Sequence, residues 1–301
     1  VEAALLALVV VWGMNFPVVK VAFQEVPPLP FNAVRLSAAT AMVVGWLWGT
    51  HQIPRLSGGL ALRVVALGLV GHTGYQLAFV FGLARTTAGH SSLILATIPL
   101  FVAALSAVWR TDPVRPRTWA GIVLALVGLA VLVGWGDQAG EGRATLPGDL
   151  LTLVASACWA VYTVAARPLL TQMTPLQLTA LSMAAGTVPL VAVAVPELAV
   201  LPWTQLTWRA WGALLFSGGV AVGVGYVVWY TAVQTLGGPR TAAYSLLIPV
   251  VTLGAAWLAL GEALHLRQAA GATLILAGVA LARTTARTRP TSTVTAGGQM
   301  S

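Results

Sequence analysis

Apolar residues run through this chain in long stretches, and polar residues fall between the stretches rather than alternating within them. Reading the apolar runs between charged and Pro/Gly-rich breaks predicts ten helical spans, at about 3–20, 31–50, 62–83, 88–109, 117–135, 148–167, 175–195, 209–235, 240–260 and 266–283. About 20 helical residues cross a ~30 Å hydrocarbon core. A barrel would instead show alternating segments of about ten residues. The pattern therefore predicts an all-α integral membrane protein with ten transmembrane helices. The sequence is apolar almost from Val1-Glu2. It has no basic n-region or small-residue cleavage site there, so the first span is expected to be a retained helix. The polar segment 284–301 is expected to be a disordered cytoplasmic tail.

Composition agrees. Hydrophobic residues make up 58% and charged residues 8%, far from the ~25% charged of ordinary soluble domains. The net charge of +8 is read as loop arginines facing the cytoplasm, with the lipid bilayer as partner and no nucleic acid. The single cysteine, Cys158, lies in an apolar run and is expected to be a small buried hydrophobe.

Ten spans put both termini on one side. The loops on that side carry Arg55, Arg63, Arg110, Arg115, Arg117, Arg167, Arg240, Arg283, Arg287 and Arg289, against Lys20, Arg85, Arg143, Arg209 and Arg267 opposite. Most acids (Glu25, Asp137, Glu141, Asp149, Glu197 and Glu262) also fall opposite. The positive-inside rule then places both termini in the cytoplasm of a multi-pass inner-membrane protein.

Residues 99–128 recur at 249–278, displaced by 150. Pro99 matches Pro249, Asp112 matches Glu262, Arg117 matches Arg267, Gly121 matches Gly271, and Gly128 matches Gly278. Two halves are expected, 1–136 and 148–283, each of five helices. Five is odd, so the second half crosses in the opposite sense and the repeat is inverted. Carriers of this build hold substrate between the halves and work by alternating access.

The chain resembles the EamA-type members of the drug/metabolite transporter superfamily. The resemblance rests on WGMNFPVVK (Trp12–Lys20), HSSLILATIPLF (His90–Phe101), TAAYSLLIPVVT (Thr241–Thr252) and ALGEALHLRQAAGATLILAGVAL (Ala259–Leu281), and extends over essentially the whole chain. It implies a ten-helix fold with a central cavity lined from both repeats. It also implies export of small metabolites, amino acids being the best-known class. The first half departs from the pattern at Arg110–Asp112, where the second has Gly261–Glu262.

Candidate substrate-binding residues are polar and aromatic side chains deep in the spans. His72, Tyr75, Gln76 and Phe79 share one helical face, as do Tyr226, Trp229, Tyr230 and Gln234. With the 150-residue offset Gln76 matches Tyr226 and Phe79 matches Trp229. Trp12 and Asn15 lie one turn apart in the first span, and Trp159 and Tyr162 likewise in the sixth. Ser91, Tyr244 and Ser245 belong to the small polar entries of the fourth and ninth spans. Interhelical packing and interfacial belts are the alternative roles for all of these. Pro17, Pro99 and Pro249 are expected to kink or interrupt their helices. Pro17 would free the Gly13 carbonyl for a polar ligand. Arg35 is the one strong charge inside a span. Its position permits snorkelling to the outer interface or a structural ion pair, with a substrate carboxylate as the alternative.

No carboxylate is placed mid-membrane, and no catalytic or metal motif is present. An enzyme, a cofactor and a metal are therefore not expected. The favoured reading is a carrier exporting small neutral or zwitterionic metabolites, amino acids first. Organic-cation efflux and a non-transporting scaffold are the alternatives. The glycine pairs 121/128 and 271/278 suit close packing within the subunit or at a homodimer contact.

Overall fold

The computed structural model describes residues 1–110, 116–133, 145–261 and 266–283. The acids Asp112 and Glu262, the loop residues Asp137, Glu141 and Arg143, and the tail 284–301 lie outside them. Among the described residues the helices form ten rods: α1 Glu2–Ala22, α2 Pro28–Gly49, α3 Gly58–Arg85, α4 Ala88–Val108, α5 Pro116–Val133, α6 Leu146–Ala166, α7 Pro175–Ala199, α8 Trp208–Leu236, α9 Gly238–Leu260 and α10 Leu266–Arg283. By length and composition α1, α3, α4, α6, α7, α8 and α9 can cross a membrane, and α5 and α10 hold shorter apolar stretches. Pro28, Pro30, Asn32 and Arg35 crowd the first turns of α2, which is outside that set.

The rods start where the local chemistry predicts. Thr87, Thr145 and Thr207 cap α4, α6 and α8 by accepting backbone N–H bonds, and Thr174 and Gln177 form a capping box at α7. Four rods are not uniform. α3 and α8 pass through π-helical stretches, Leu69–Gly74 and Phe216–Val224. α4 breaks after Leu95 and resumes at Ile98, and α9 tightens to a 3₁₀ turn at Ser245–Leu247 before resuming at Ile248. Pro99 and Pro249 sit in the first turn of the resumed segments, where a missing N–H costs nothing. Pro17 is different: it lies inside a continuous α1.

Packing joins the front half of the chain to the back half. α1 lies against α8 and α9, and α6 against α3 and α4; α2 lies against α7 and α8, and α3 against α7. The α5–α10 pair packs intimately along the glycines. A Cβ on Gly278 would sit 2.5 Å from the Gly121 carbonyl oxygen and 2.6 Å from the Ala125 nitrogen, and one on Gly128 would sit 2.7 Å from the Ile275 nitrogen. These glycines therefore serve a contact within the subunit. Tryptophans 46, 48, 208, 211 and 257 are exposed on the outside of the bundle, as interfacial aromatics are.

Candidate functional site: a central cavity between the halves

A cavity opens at the centre of the bundle. Its wall takes Trp12, Asn15 and Phe16 from α1, Arg35 from α2, Tyr75, Gln76 and Phe79 from α3, and Ser92, Leu95 and Ile98 from α4. The back half supplies Trp159 from α6, Ala221, Val222 and Tyr226 from α8, and Ser245 and Ile248 from α9. There is room for about 60 Å³ of water-molecule centres, several times the ~10–15 Å³ that one water needs.

The π-helical stretch of α3 ends at Gly74, so Tyr75 and Gln76 head a fresh α-helical segment that faces inward. The matching stretch of α8 ends at Val224 and presents Tyr226. Trp12 is fixed by donating its indole N–H to the Ala221 carbonyl at 2.8 Å. Around it Trp159 lies 5.6 Å away edge-to-face, Tyr226 is 4.9 Å from Trp159, and Tyr75 is 4.8 Å from Trp159. Trp12, Tyr75, Trp159 and Tyr226 thus form an aromatic wall drawn from both halves of the chain.

Arg35 is 1% exposed. It is buried rather than snorkelling, and it forms no ion pair among the described residues. Its Nε donates to Asn32 Oδ1 at 2.9 Å, Nη1 to Ser217 Oγ at 2.8 Å and Nη2 to Gln76 Oε1 at 2.6 Å. The rings of Phe31 and Phe79 lie 5.5 and 5.6 Å from the guanidinium carbon. The reason is depth. α2 begins at Pro28, so Arg35 stands seven residues, about 10 Å, along the helix, and the π-helical stretch of α8 closes over it. Gln76 passes the network on, its Nε2 donating to Tyr226 Oη at 2.8 Å.

Besides Arg35, eight of the candidate binding residues reach the cavity: Trp12, Asn15, Tyr75, Gln76, Phe79, Trp159, Tyr226 and Ser245. Seven do not, among them Gln234, whose Nε2 donates to the Leu170 carbonyl at 2.8 Å. His72 is fully buried behind the wall, its Nε2 within hydrogen-bonding distance of Tyr162 Oη at 3.0 Å and Ser182 Oγ at 3.2 Å. Its π-helical turn advances less per residue than the regular helix assumed for it. Tyr162 stacks on Tyr230 at 4.8 Å, and Tyr230 donates to the Tyr162 carbonyl at 3.4 Å. Trp229 donates to Thr163 Oγ1 at 3.3 Å. Trp229 and Tyr230 share the face of Tyr226 but sit about a turn further along α8, outside the cavity. Ser91 and Tyr244 are each displaced by their neighbour, since Ser92 and Ser245 take the lining positions. The Gly13 carbonyl accepts from Thr252 Oγ1 at 3.1 Å, so α9 supplies a partner for the group that Pro17 frees.

The polar entry of α4 that the sequence marks includes Ser92, and Ser92 lines the cavity. Phe16, Leu95, Ile98, Ala221, Val222 and Ile248 are apolar residues in apolar spans, so nothing in the sequence separates them from core. Sequence reasoning places Asp149 among the loop acids. Asp149 is 3% exposed in the first turn of α6, where it accepts from Thr86 Oγ1 at 2.6 Å and faces His90 Nδ1 at 3.4 Å. Among the described residues, no group of three or more metal-ligating side chains occurs.

Among the described residues, apolar helical rods surround an aromatic-walled cavity that carries a few polar groups, as in a membrane carrier, and known proteins agree. The EamA-like transporter family model matches residues 2–134 and again 146–284. An "uncharacterized transporter" of Archaeoglobus fulgidus is 31% identical over 92% of this chain and 95% of its own. A "probable terminal-alkyne amino-acid exporter" of Streptantibioticus cattleyicolor is 32% identical over 96% of each. A "probable amino-acid metabolite efflux pump" of Escherichia coli K12 is 28% identical over 91% of each. A crystal structure at 21% identity superposes with a TM-score of 0.65 over 93% of this chain and 95% of that one, which establishes a shared fold. With both halves matched by one family model, the chain belongs to the EamA-like transporter family.

Proposed function

We propose that this transporter exports small neutral or zwitterionic metabolites, amino acids first, through the central cavity by alternating access. The observation that carries the reading is the cavity wall itself. It draws on both halves and combines a guanidinium, amide and hydroxyl groups with an aromatic face, the mixture that suits a small polar ligand with an apolar body. Two of the relatives are named for amino-acid export.

The reading includes ten transmembrane helices, two inverted five-helix repeats divided near 136–148, and both termini on the cytoplasmic side of the inner membrane. Exchange of each rod with the one five later in the chain supports the repeat. It turns α1–α9 into α6–α4, α1–α8 into α6–α3, and α2–α8 into α7–α3. The interruptions of α4 at Pro99 and α9 at Pro249 are the proposed hinges, while Pro17 adjusts α1. The working unit is a monomer or homodimer. Export of organic cations is the weaker reading, because no carboxylate lines the cavity among the described residues and Arg35 does. A scaffold without a ligand gives no use for a cavity that holds a guanidinium, an amide and hydroxyls.

The test is counterflow in liposomes holding the purified protein, screened with amino acids, sugars and organic cations. Exchange of at least one amino acid, lost in Trp159→Ala, is the expected result. Exchange confined to organic cations, or no exchange of any compound, would overturn the reading.

A further inference from the structure

We infer that Arg35 is the carboxylate anchor of the cargo, and that Asn15, Ser92 and Ser245 receive its amine across the same cavity. The inference rests on the cavity being the transport site.

Arg35 is a full charge with no counter-charge among the described residues. Among the described residues no carboxylate lies within 4.0 Å of it, and its three hydrogen-bond partners are neutral. A buried charge held only by neutral dipoles is costly, and an arriving anion relieves that cost. The guanidinium has five N–H donors. Three are engaged, which leaves one on Nη1 and one on Nη2. One N–H on each terminal nitrogen is thus available to donate to a carboxylate, a charge-assisted bond of the strong kind. The partners Asn32, Ser217 and Gln76 and the rings of Phe31 and Phe79 hold the fork in place without neutralising it.

A separate observation supplies the other end. Asn15 is 7% exposed and lines the cavity, and its Oδ1 is buried with no hydrogen-bond partner among the described residues. Ser92 donates its hydroxyl proton to the Gly89 carbonyl at 2.8 Å, and Ser245 donates its own to the Ala242 carbonyl at 2.6 Å. Each hydroxyl has spent its single proton, so towards the cavity it is an acceptor only. The wall of α1, α4 and α9 therefore offers acceptors, and the wall of α2, α3 and α8 offers a cationic donor. A ligand with a carboxylate at one end and an ammonium close by satisfies both walls. Its side chain then meets the aromatic wall.

The experiment holds the protein constant and varies the ligand. Wild-type protein in liposomes is given L-leucine, 4-methylpentanoate (the same skeleton without the amine) and 3-methylbutylamine (the same skeleton without the carboxylate). L-Phenylalanine, 3-phenylpropanoate and 2-phenylethylamine form a second set. The expected order is amino acid, then acid, then amine, with the amine weaker by roughly 30-fold or more in counterflow inhibition, as loss of one partner of a buried charged pair implies. Arg35→Gln is expected to abolish the difference between acid and amine, and Arg35→Lys to restore part of it by charge without the fork. If Arg35→Gln does not fold, the ligand series alone decides. Amines carried as well as or better than their parent amino acids would overturn the assignment of Arg35 and leave the cavity reading standing. Exchange of sugars or organic cations with neither set recognised would overturn the assignment and the amino-acid reading together. No exchange of any compound would overturn both.

Discussion

Gln76 Nε2 donates a 2.8 Å hydrogen bond to Tyr226 Oη, and the two residues are 150 positions apart. That is also the offset at which Pro99 matches Pro249 and Gly121 matches Gly271. Under the proposed repeat the two residues are equivalent, and their meeting at the cavity is what an axis relating the halves would produce. Gln76 is also the link to Arg35, so the bond ties the charge to the aromatic wall.

Removing that link is expected to cost stability as well as affinity. Gln76→Leu strands one Arg35 N–H and the Tyr226 hydroxyl in a buried site, each worth about 1–3 kcal/mol. Tyr226→Phe strands the Gln76 amide. The double variant should lose less than the two single losses together, because each single change leaves an orphan that the other removes. Melting temperatures in detergent, read as a double-mutant cycle, measure this. Strict additivity would mean that the two side chains act independently.

Much of this site is legible in the sequence, for physical reasons. Tyr75, Gln76 and Phe79 stand out because polar and aromatic groups at helical spacing in an apolar span are rare. Depth and helix register are not legible. His72 is turned away by a π-helical stretch that no composition announces. Trp229 and Tyr230 have the right face and the wrong level. A start of α2 at 31 leaves Arg35 within snorkelling reach of the interface, and three more residues of helix carry it inward. The ten rods follow the apolar runs closely, since length and apolarity are the properties a bilayer selects.

The ends of the bundle carry two related contacts of unequal burial. Asp149, in the first turn of α6, meets Thr86 and His90 out of solvent. Glu2, in the first turn of α1, pairs with Arg240 of α9 where both are exposed. Asp149→Ala leaves two buried partners unsatisfied and should lower stability by about 1–3 kcal/mol. Glu2→Gln should change it by less than ~1 kcal/mol, as exposed pairs do. Paired melts of the two variants check the ordering. Equal losses would show that burial does not separate the two contacts.

The α5–α10 contact predicts a steric result. Gly278→Val would drive a side chain into the Gly121 carbonyl and Ala125, costing about 1–3 kcal/mol by overpacking. Gly254→Ala has nothing within 4 Å and should be neutral or slightly stabilising through helix propensity. Detergent melts again decide. A neutral Gly278→Val would mean that α5 and α10 are not held this closely.

Outside the helices, Glu25 accepts from the Thr207 hydroxyl at 2.7 Å and the Thr207 backbone N–H at 2.8 Å. These bonds favour the ionised carboxylate and hold its pKa below the ordinary glutamate value. A depressed folded-state pKa stabilises above the unfolded pKa, and that contribution fades as pH falls through the folded value. Melting temperature should therefore drop on acidification more steeply for wild type than for Glu25→Gln. Parallel curves over pH 3–7 would show that the contact carries no linkage.

The most direct test of the central cavity as the transport path uses Ser245, a lining residue on α9. Ser245→Cys in a Cys158→Ser background is exposed to a membrane-impermeant thiol reagent from one face of sealed vesicles and then from the other. Labelling from both faces, slowed by an amino acid that the protein exchanges in counterflow, is the predicted result. Labelling from neither face, or from one face with no protection while exchange continues, would place the path of the cargo somewhere other than this cavity.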